Sequence, residues 1–286
     1  MIRVLLLVFL LPTVGFTQTL VPAGRIVWSE SAPAFGGISG IEVFADGRFI
    51  AISDRARFFA GQITRAGGEI TAIKVTTSAA ILDSKGAALK GRNADAEGLA
   101  VGPQGKIYLS FEGNHRIMHH ADIQAPGAFL PPYDAIKALQ NNSGLEALAV
   151  DQTGRVFAIP ERSGKITRPF PVFRYDGVWQ KAFDIPRRGE FLVVGADFDP
   201  KGQLYILERR FTWLGGFASR IRRFTVTNDR ISAEETLLET PVGILDNMEG
   251  ISVWRDMDAQ LHLTIVSDDN FNGFQRTIVA EYLVSD

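Results

Sequence analysis

Carboxylates recur in this chain at fixed offsets, and they are the side chains best suited to chemistry. Glu97, Glu146 and Glu249 open related stretches: Glu-Gly-Leu-Ala-Val, Glu-Ala-Leu-Ala-Val and Glu-Gly-Ile-Ser-Val. A second acid follows fifteen residues later at Glu112 and Glu161, and after a longer turn at Asp268. Asp95 and Asp246 stand two and three residues ahead of Glu97 and Glu249. Carboxylates drawn together raise one another's pKa or demand a cation. The chain has no cysteine and only four histidines. Such a donor set favours a hard cation, calcium or magnesium, over zinc. The plainer alternative is a set of polar strand ends at a wet channel mouth.

The same offsets define the elements that position these acids. A nine-residue pattern ending in a turn glycine begins at Ser39, Glu97, Glu146 and Val194, with glycines at 47, 105, 154 and 202; a fifth copy begins at Glu249. The spacings are 58, 49, 48 and 55 residues. Periods of this size, with about four short strands each, predict an all-β propeller. Five copies predict five blades, or six if the first spacing hides an extra sheet. A hairpin turning at Gly105 returns Glu112 to the end of the sheet that holds Glu97, and Gly154 does the same for Glu161 and Glu146. If these are inner strands, one channel mouth carries a ring of carboxylates.

Too few residues follow Glu249 for a full repeat. The strand-like Thr19–Trp28 is therefore expected to complete the last blade beside Arg276–Val284, removing an open sheet edge. Outer strands are expected at 68–77, 171–180 and 220–228, and one short helix over 133–140. Arg3, the apolar run Val4–Leu11 and Pro12 read as a secretory signal over residues 1–17, with an uncleaved anchor as the alternative. Residues 18–286 then form one domain. The expected protein is periplasmic or secreted, without membrane contact after cleavage.

Composition excludes other classes. Net charge is −2, with 46% hydrophobic and 22% charged residues, an ordinary globular balance with no basic excess for nucleic acid. No nucleophile elbow, phosphate loop or His-Glu-x-x-His is present. His119 and His120 are adjacent, so in a strand they face opposite sides and read as surface polarity. Asp268, Asn270, Asn272 and Gly273 match the start of a helix-loop-helix calcium loop, but its twelfth position is Val279. An oxygen-rich loop and a plain turn stay open there. Arg55, Arg162 and Arg209-Arg210 follow the closing acids. Each can grip an anionic substrate group or simply pair with a neighbouring carboxylate.

Seven short motifs in order resemble the phytase-like family, whose activity is described as esterase-like. They are Ser39-Gly-Ile, Ser53-Asp-Arg55, Asp95-Ala-Glu-Gly-Leu99, Gly144-Leu-Glu-Ala-Leu148, Leu207-Glu-Arg-Arg-Phe211, Asn247-Met-Glu-Gly-Ile251 and Ser267-Asp-Asp-Asn-Phe271. The resemblance spans residues 24–284. It implies a propeller, export from a bacterium, and hydrolysis of phosphate or carboxylic esters, with Glu97, Glu146, Glu249 and Glu208-Arg209 at the channel mouth. The fourth repeat departs from the pattern, with Val194 where Glu would stand.

Together these readings lead to a metal-dependent hydrolase acting as a monomer on a small anionic ester. Calcium would be held by Glu97, Glu146, Glu249 and Asp268. One of Glu97, Glu112 and Glu146 would act as general base, Arg209 would stabilise developing charge, and Arg55, Arg209 and Arg210 would bind substrate. The reading from another class is a non-catalytic propeller that binds a small ligand or an envelope protein.

Overall fold

The computed structural model describes residues 20–31, 34–139 and 144–285. The expected leader over residues 1–17 lies outside them. The strands are β1 (Leu20–Val27), β2 (Ile38–Val43), β3 (Arg48–Ser53), β4 (Arg57–Ala66), β5 (Glu69–Ala80), β6 (Ala96–Val101), β7 (Ile107–Phe111), β8 (Arg116–His120), β9 (Ala128–Phe129), β10 (Leu145–Val150), β11 (Val156–Pro160), β12 (Phe170–Asp176), β13 (Val178–Ile185), β14 (Leu192–Phe198), β15 (Gln203–Thr212), β16 (Gly216–Thr227), β17 (Arg230–Glu239), β18 (Met248–Arg255), β19 (Leu261–Ser267) and β20 (Ile278–Val284). They form five four-stranded antiparallel sheets, the blades of a propeller. Blades one to four take β2–β5, β6–β9, β10–β13 and β14–β17 in sequence order. Blade five is ordered β18-β19-β20-β1. Its edge is closed by the N-terminal strand, with Val27 opposite Ile278 and Leu20 opposite Val284.

Five apolar clusters form the core, one at each junction between adjacent blades. At the junction of blades two and three, for example, Ala100 and Ile117 pack with Leu148, Ala158 and Phe173. The five inner strands β2, β6, β10, β14 and β18 touch in a closed ring. Each inner strand slips register at the same place: between Ile38 and Gly40, Ala96 and Leu99, Leu145 and Ala147, Val193 and Gly195, and Met248 and Gly250. The residues inside these bulges are the repeat openers Ser39, Glu97, Glu146, Val194 and Glu249. A bulge leaves a residue unpaired and re-aims its side chain.

Glycine after the opener lets the inner strands close on each other. A Cβ at Gly250 would lie 2.9 Å from the Cα of Gly40, and one at Gly195 2.7 Å from the carbonyl oxygen of Glu249. The result is a waist below the mouth, lined by Gly40, Gly98, Leu148, Ala196 and Gly250, whose cavity measures about 10 Å³. That is room for about one water molecule.

Three expectations need correction. Residues 171–180 are not one outer strand but parts of β12 and β13, which turn at Gly177 with φ 73°. Of the helix expected over 133–140, the four residues Asp134–Lys137 are helical. His120 is not surface polarity. It is fully buried, sits edge-on to Phe58 of the neighbouring blade, and places Nδ1 3.0 Å from the carbonyl oxygen of Ala125.

Candidate functional site

The bulges and hairpins deliver the repeat openers and closers to one end of the ring. Glu97, Glu112, Glu146, Glu161, Glu249, Asp54 and Asp268 converge there with Asp95. Their mutual influence is visible in their acidities. Burial pushes Glu97 well above the usual carboxylate range, and the charges of Glu146, Glu249, Asp95 and Glu112 push the same way. Glu146 is raised well by burial and by Glu161, with Arg209 opposing. Asp54 rises to about 7 and Asp268 to about 8, each mainly through burial, with Glu249 adding repulsion. These are the responses of carboxylates crowded out of water.

The ring is asymmetric. On the side of blade two, Asp95, Glu97 and Glu112 offer oxygens that lie within 4.8 Å of one another. Oxygens this close are near the spacing of ligands that share one calcium, whose contact distance to oxygen is about 2.3–2.6 Å. The donors are all hard oxygens, so the set fits the cation expected from the sequence. Glu112 also accepts a hydrogen bond from the backbone N–H of Gly144 (3.2 Å) and shares one with Glu146, which keeps Glu146 against the triad. One oxygen of Asp54 is buried with no hydrogen-bond partner.

On the side of blades three to five, Arg209 neutralises the ring. Its Nη1 donates to Glu249 Oε1 and to Asn247 Oδ1 (2.6 Å), and its Nη2 reaches Glu161 Oε1 at 3.4 Å. Asn247 in turn donates to Glu249 Oε1 at 2.7 Å. Burial alone would lower the pKa of Arg209; Glu249, Glu146 and Glu161 outweigh it and raise the value. Arg209 therefore bridges acids contributed by the blades on either side of its own. Glu249 belongs to this paired half rather than to the oxygen triad.

Asp268 stands beside Asp54 and Glu249, but its Oδ1 caps the N–H of Asn270 (2.7 Å). Asp269 and Asn272 likewise accept from N–H groups of Phe271, Phe274 and Gln275. The loop is a succession of side-chain-capped turns rather than an oxygen cage. Arg162 pairs with Glu161 at 3.0 Å. Arg55 is exposed at the rim with its guanidinium 3.2 Å over the ring of Phe271.

Glu208 and Arg210 are not brought to the mouth, because neighbours of Arg209 on β15 face the other side of the sheet. Glu208 is fully buried and accepts from Arg220 Nε (2.7 Å), Arg222 Nε (2.9 Å) and Arg222 Nη2 (2.6 Å). Arg210 lies 5.1 Å over the ring of Phe191. Arg210, expected to bind substrate, thus stands apart from the acids gathered at the mouth.

A model of the phytase-like family, described as esterase-like activity of phytase, matches residues 33–271. The chain belongs to the phytase-like family. Curated protein sequences gave no match. Among solved structures, the phytase-like propeller resembles aldose sugar dehydrogenase from Streptomyces coelicolor, determined with PQQ bound. The identity is 13% and the TM-score 0.50, over 91% of this chain and 98% of that one. It also resembles a protein of unknown function from Dyadobacter fermentans, at 12% identity and TM-score 0.50, over 90% of this chain and 79% of that one. At such identities the likeness concerns the fold.

Sequence reasoning put Asp95 among the recurring acids without counting it as a ligand, and gave Asn247 no role at the phytase-like mouth. The signal that joins Asp95 to the ligands is its place two residues ahead of Glu97, where the chain enters β6. Asn247 has the same spacing to Glu249.

Proposed function

We propose that this phytase-like propeller is an exported, divalent-cation-dependent hydrolase of phosphate or other esters, with calcium the expected ion. The observation that carries the reading is the Asp95, Glu97 and Glu112 triad set beside an Arg-neutralised half-ring above a sealed waist. Asp95, Glu97 and Glu112 would hold the cation. Once bound, it would supply Lewis-acid polarisation of the ester's phosphoryl or acyl oxygen.

The chain's own residues account for the rest. Glu146 is buried, hydrogen-bonded to Glu112, and biased toward its protonated form by Glu161 and Glu249. It is placed to give a proton to the leaving oxygen and to take one from water. Arg209 keeps its side of the mouth from repelling an anionic ester. The waist keeps bulk water from entering from below, which strengthens charge interactions above it. The short run Val4–Leu11 supports export.

The test combines thermal melting with turnover of a panel of phosphate and carboxylic esters, in chelator and in calcium. Calcium at about a hundred times its Kd should stabilise by about 2.7 kcal/mol. For a chain of this size that is a rise of about 5 °C in Tm. Turnover should vanish in chelator and return with calcium, and Glu97→Gln or Asp95→Asn should abolish both responses. Unchanged melting and turnover in calcium and chelator would sink the proposal. A calcium-dependent Tm with no hydrolysis of any ester would favour the binding module instead.

A further inference from the structure

The rim around the mouth is uneven. Over blades one and two the second and third strands are joined by tight turns, at residues 54–56 and 112–115. In blade four the equivalent hairpin continues past Arg209 for three more rungs, pairing Arg210 with Ala218, Phe211 with Phe217, and Thr212 with Gly216. Three rungs lift its tip about 10 Å above the mouth. The tip carries Trp213 and Leu214, which are 87% and 93% exposed, and Phe211 below them is 63% exposed.

Neighbouring loops extend this apolar crest. The backbone N–H of Gly243 donates to the carbonyl of Phe217, fastening the β17–β18 loop and its exposed Ile244 to the hairpin. Asp246 accepts from Gln275 Nε2 and from the N–H of Arg276, fastening the β19–β20 loop and Phe274, 99% exposed, to the β17–β18 loop. Single exposed hydrophobics are ordinary, but several on tied, projecting loops mark an interaction surface.

Cations flank the crest. The loops β11–β12 and β13–β14 carry Arg162, Lys165, Arg168, Arg187 and Arg188 against Glu161 and Glu190. Arg162 pairs with Glu161 and Arg188 with Glu234. Lys165 and Arg168 are exposed and make no ion pair with any described residue. Between them stands Ile166, 54% exposed. The acid triad lies over blade two, next to blade three.

We propose that the crest of blades three to five docks peripherally on an anionic lipid bilayer. This departs from the sequence expectation of no membrane contact, and it stands whether or not the mouth hydrolyses esters. A tryptophan-tipped apolar projection of about 10 Å matches the depth at which amphipathic segments lodge at the headgroup boundary. Unpaired lysine and arginine beside it complement anionic headgroups and are screened by salt. The charge complementarity commits the surface to lipid.

The experiment is vesicle co-sedimentation of the full chain with phosphatidylglycerol-containing and with pure phosphatidylcholine vesicles. Any contribution of the run Val4–Leu11 is common to all variants, so the difference between variants is what counts. Binding to anionic vesicles should fall about tenfold in the double variant Trp213→Ala/Leu214→Ala and by a similar factor in Lys165→Glu/Arg168→Glu. High salt should weaken the wild type and leave the charge-reversed variant nearly unchanged.

Trp213 also supplies a local probe, since Trp28 and Trp254 are buried and the half-buried Trp179 follows the β12–β13 turn, at the end of blade three away from the mouth. Brominated lipid should quench the wild type, and Trp213→Phe should lose that quenching while still sedimenting. The substituted side chains are exposed, so melting curves should not move. Equal sedimentation of all variants, equal binding to neutral vesicles, or quenching that survives in Trp213→Phe would overturn the proposal. Failure to bind vesicles at all would do the same and would point to a protein partner for the crest.

Discussion

Replacing Glu208 by Gln separates the two faces of β15. Glu208 is fully buried, as is Arg222, and three guanidinium N–H groups converge on its two oxygens. The amide keeps the volume, removes the charge, and turns a donor toward Arg222. Breaking one side of a buried pair costs about 3–5 kcal/mol. The lower end applies, because Arg222 keeps Glu234 at 2.8 Å and the carbonyl of Pro186 at 2.9 Å. Unfolding entropy near 2.1 cal/mol/K per residue over roughly 260 folded residues is about 0.55 kcal/mol/K, so Tm should drop by about 5–6 °C. Circular dichroism melts in chelator would measure it. The same melts in calcium should show the full wild-type rise, since Glu208 faces away from the mouth. A drop below about 1 °C, or loss of the calcium response, would refute the assignment of Glu208 to the blade interior.

Removing Arg209 should act at the mouth. Arg209→Ala leaves Glu146, Glu161 and Glu249 without their cation, so Tm in chelator should fall and the stabilisation by calcium should grow; equal calcium shifts in both proteins would argue against the shared ring. Gly250→Ala places a methyl 2.9 Å from the Cα of Gly40 and 3.0 Å from the N of Ile41. Backbone cannot yield there cheaply, and about 1–3 kcal/mol of destabilisation should appear in denaturant melts. His262 gives a pH dependence. Its Nδ1 lies 3.1 Å from Glu281 and its Nε2 3.0 Å from Asp256. Burial lowers its pKa, but the two carboxylates raise it overall, and they are themselves held below their usual values. The contribution of His262 is complete below the unfolded value near 6.5 and fades as pH rises through the higher folded one. The Tm gap between wild type and His262→Leu should therefore be widest near pH 5–6.5 and narrow by pH 9; a gap that widens toward pH 9 contradicts the arrangement.

Much of the architecture is legible because the inner hairpins carry their own punctuation: an opener, a small residue next, and, in four of the five, a turn glycine eight positions on. The partner of β1 follows from counting, since the last repeat lacks a strand. The 58-residue first spacing holds no sixth sheet; it is taken up by the long β4 and β5, of 10 and 12 residues, and by a 3-10 turn at Gly91–Asn93. Residues 171–180 misled because Asp176-Gly177 sits inside a run of strand-forming residues, and the turn signal was outweighed. At the mouth, the acids are visible in sequence but their division is not. Arg209 meets residues 38, 40 and 48 positions away, on two other blades. No local pattern encodes which carboxylate a guanidinium will choose across a ring. His120 shows the same limit, since its burial depends on Phe58 in the preceding blade.

The waist makes the central passage a cul-de-sac. With room for about one water between glycines that crowd each other's backbones, nothing larger than solvent passes from one face of the propeller to the other. A ligand must enter and leave through the same acid-lined opening, so two molecules cannot queue through it in one direction. A chain-like substrate can present only an end or a side branch, never thread. Under the proposed hydrolysis, a product would have to clear that opening before the next molecule enters. The far end is chemically insulated as well. There Glu42 and Asp197 bind backbone N–H groups of the neighbouring inner strands, at Val101 and Val253. They stitch blades together out of reach of whatever ions collect at the mouth.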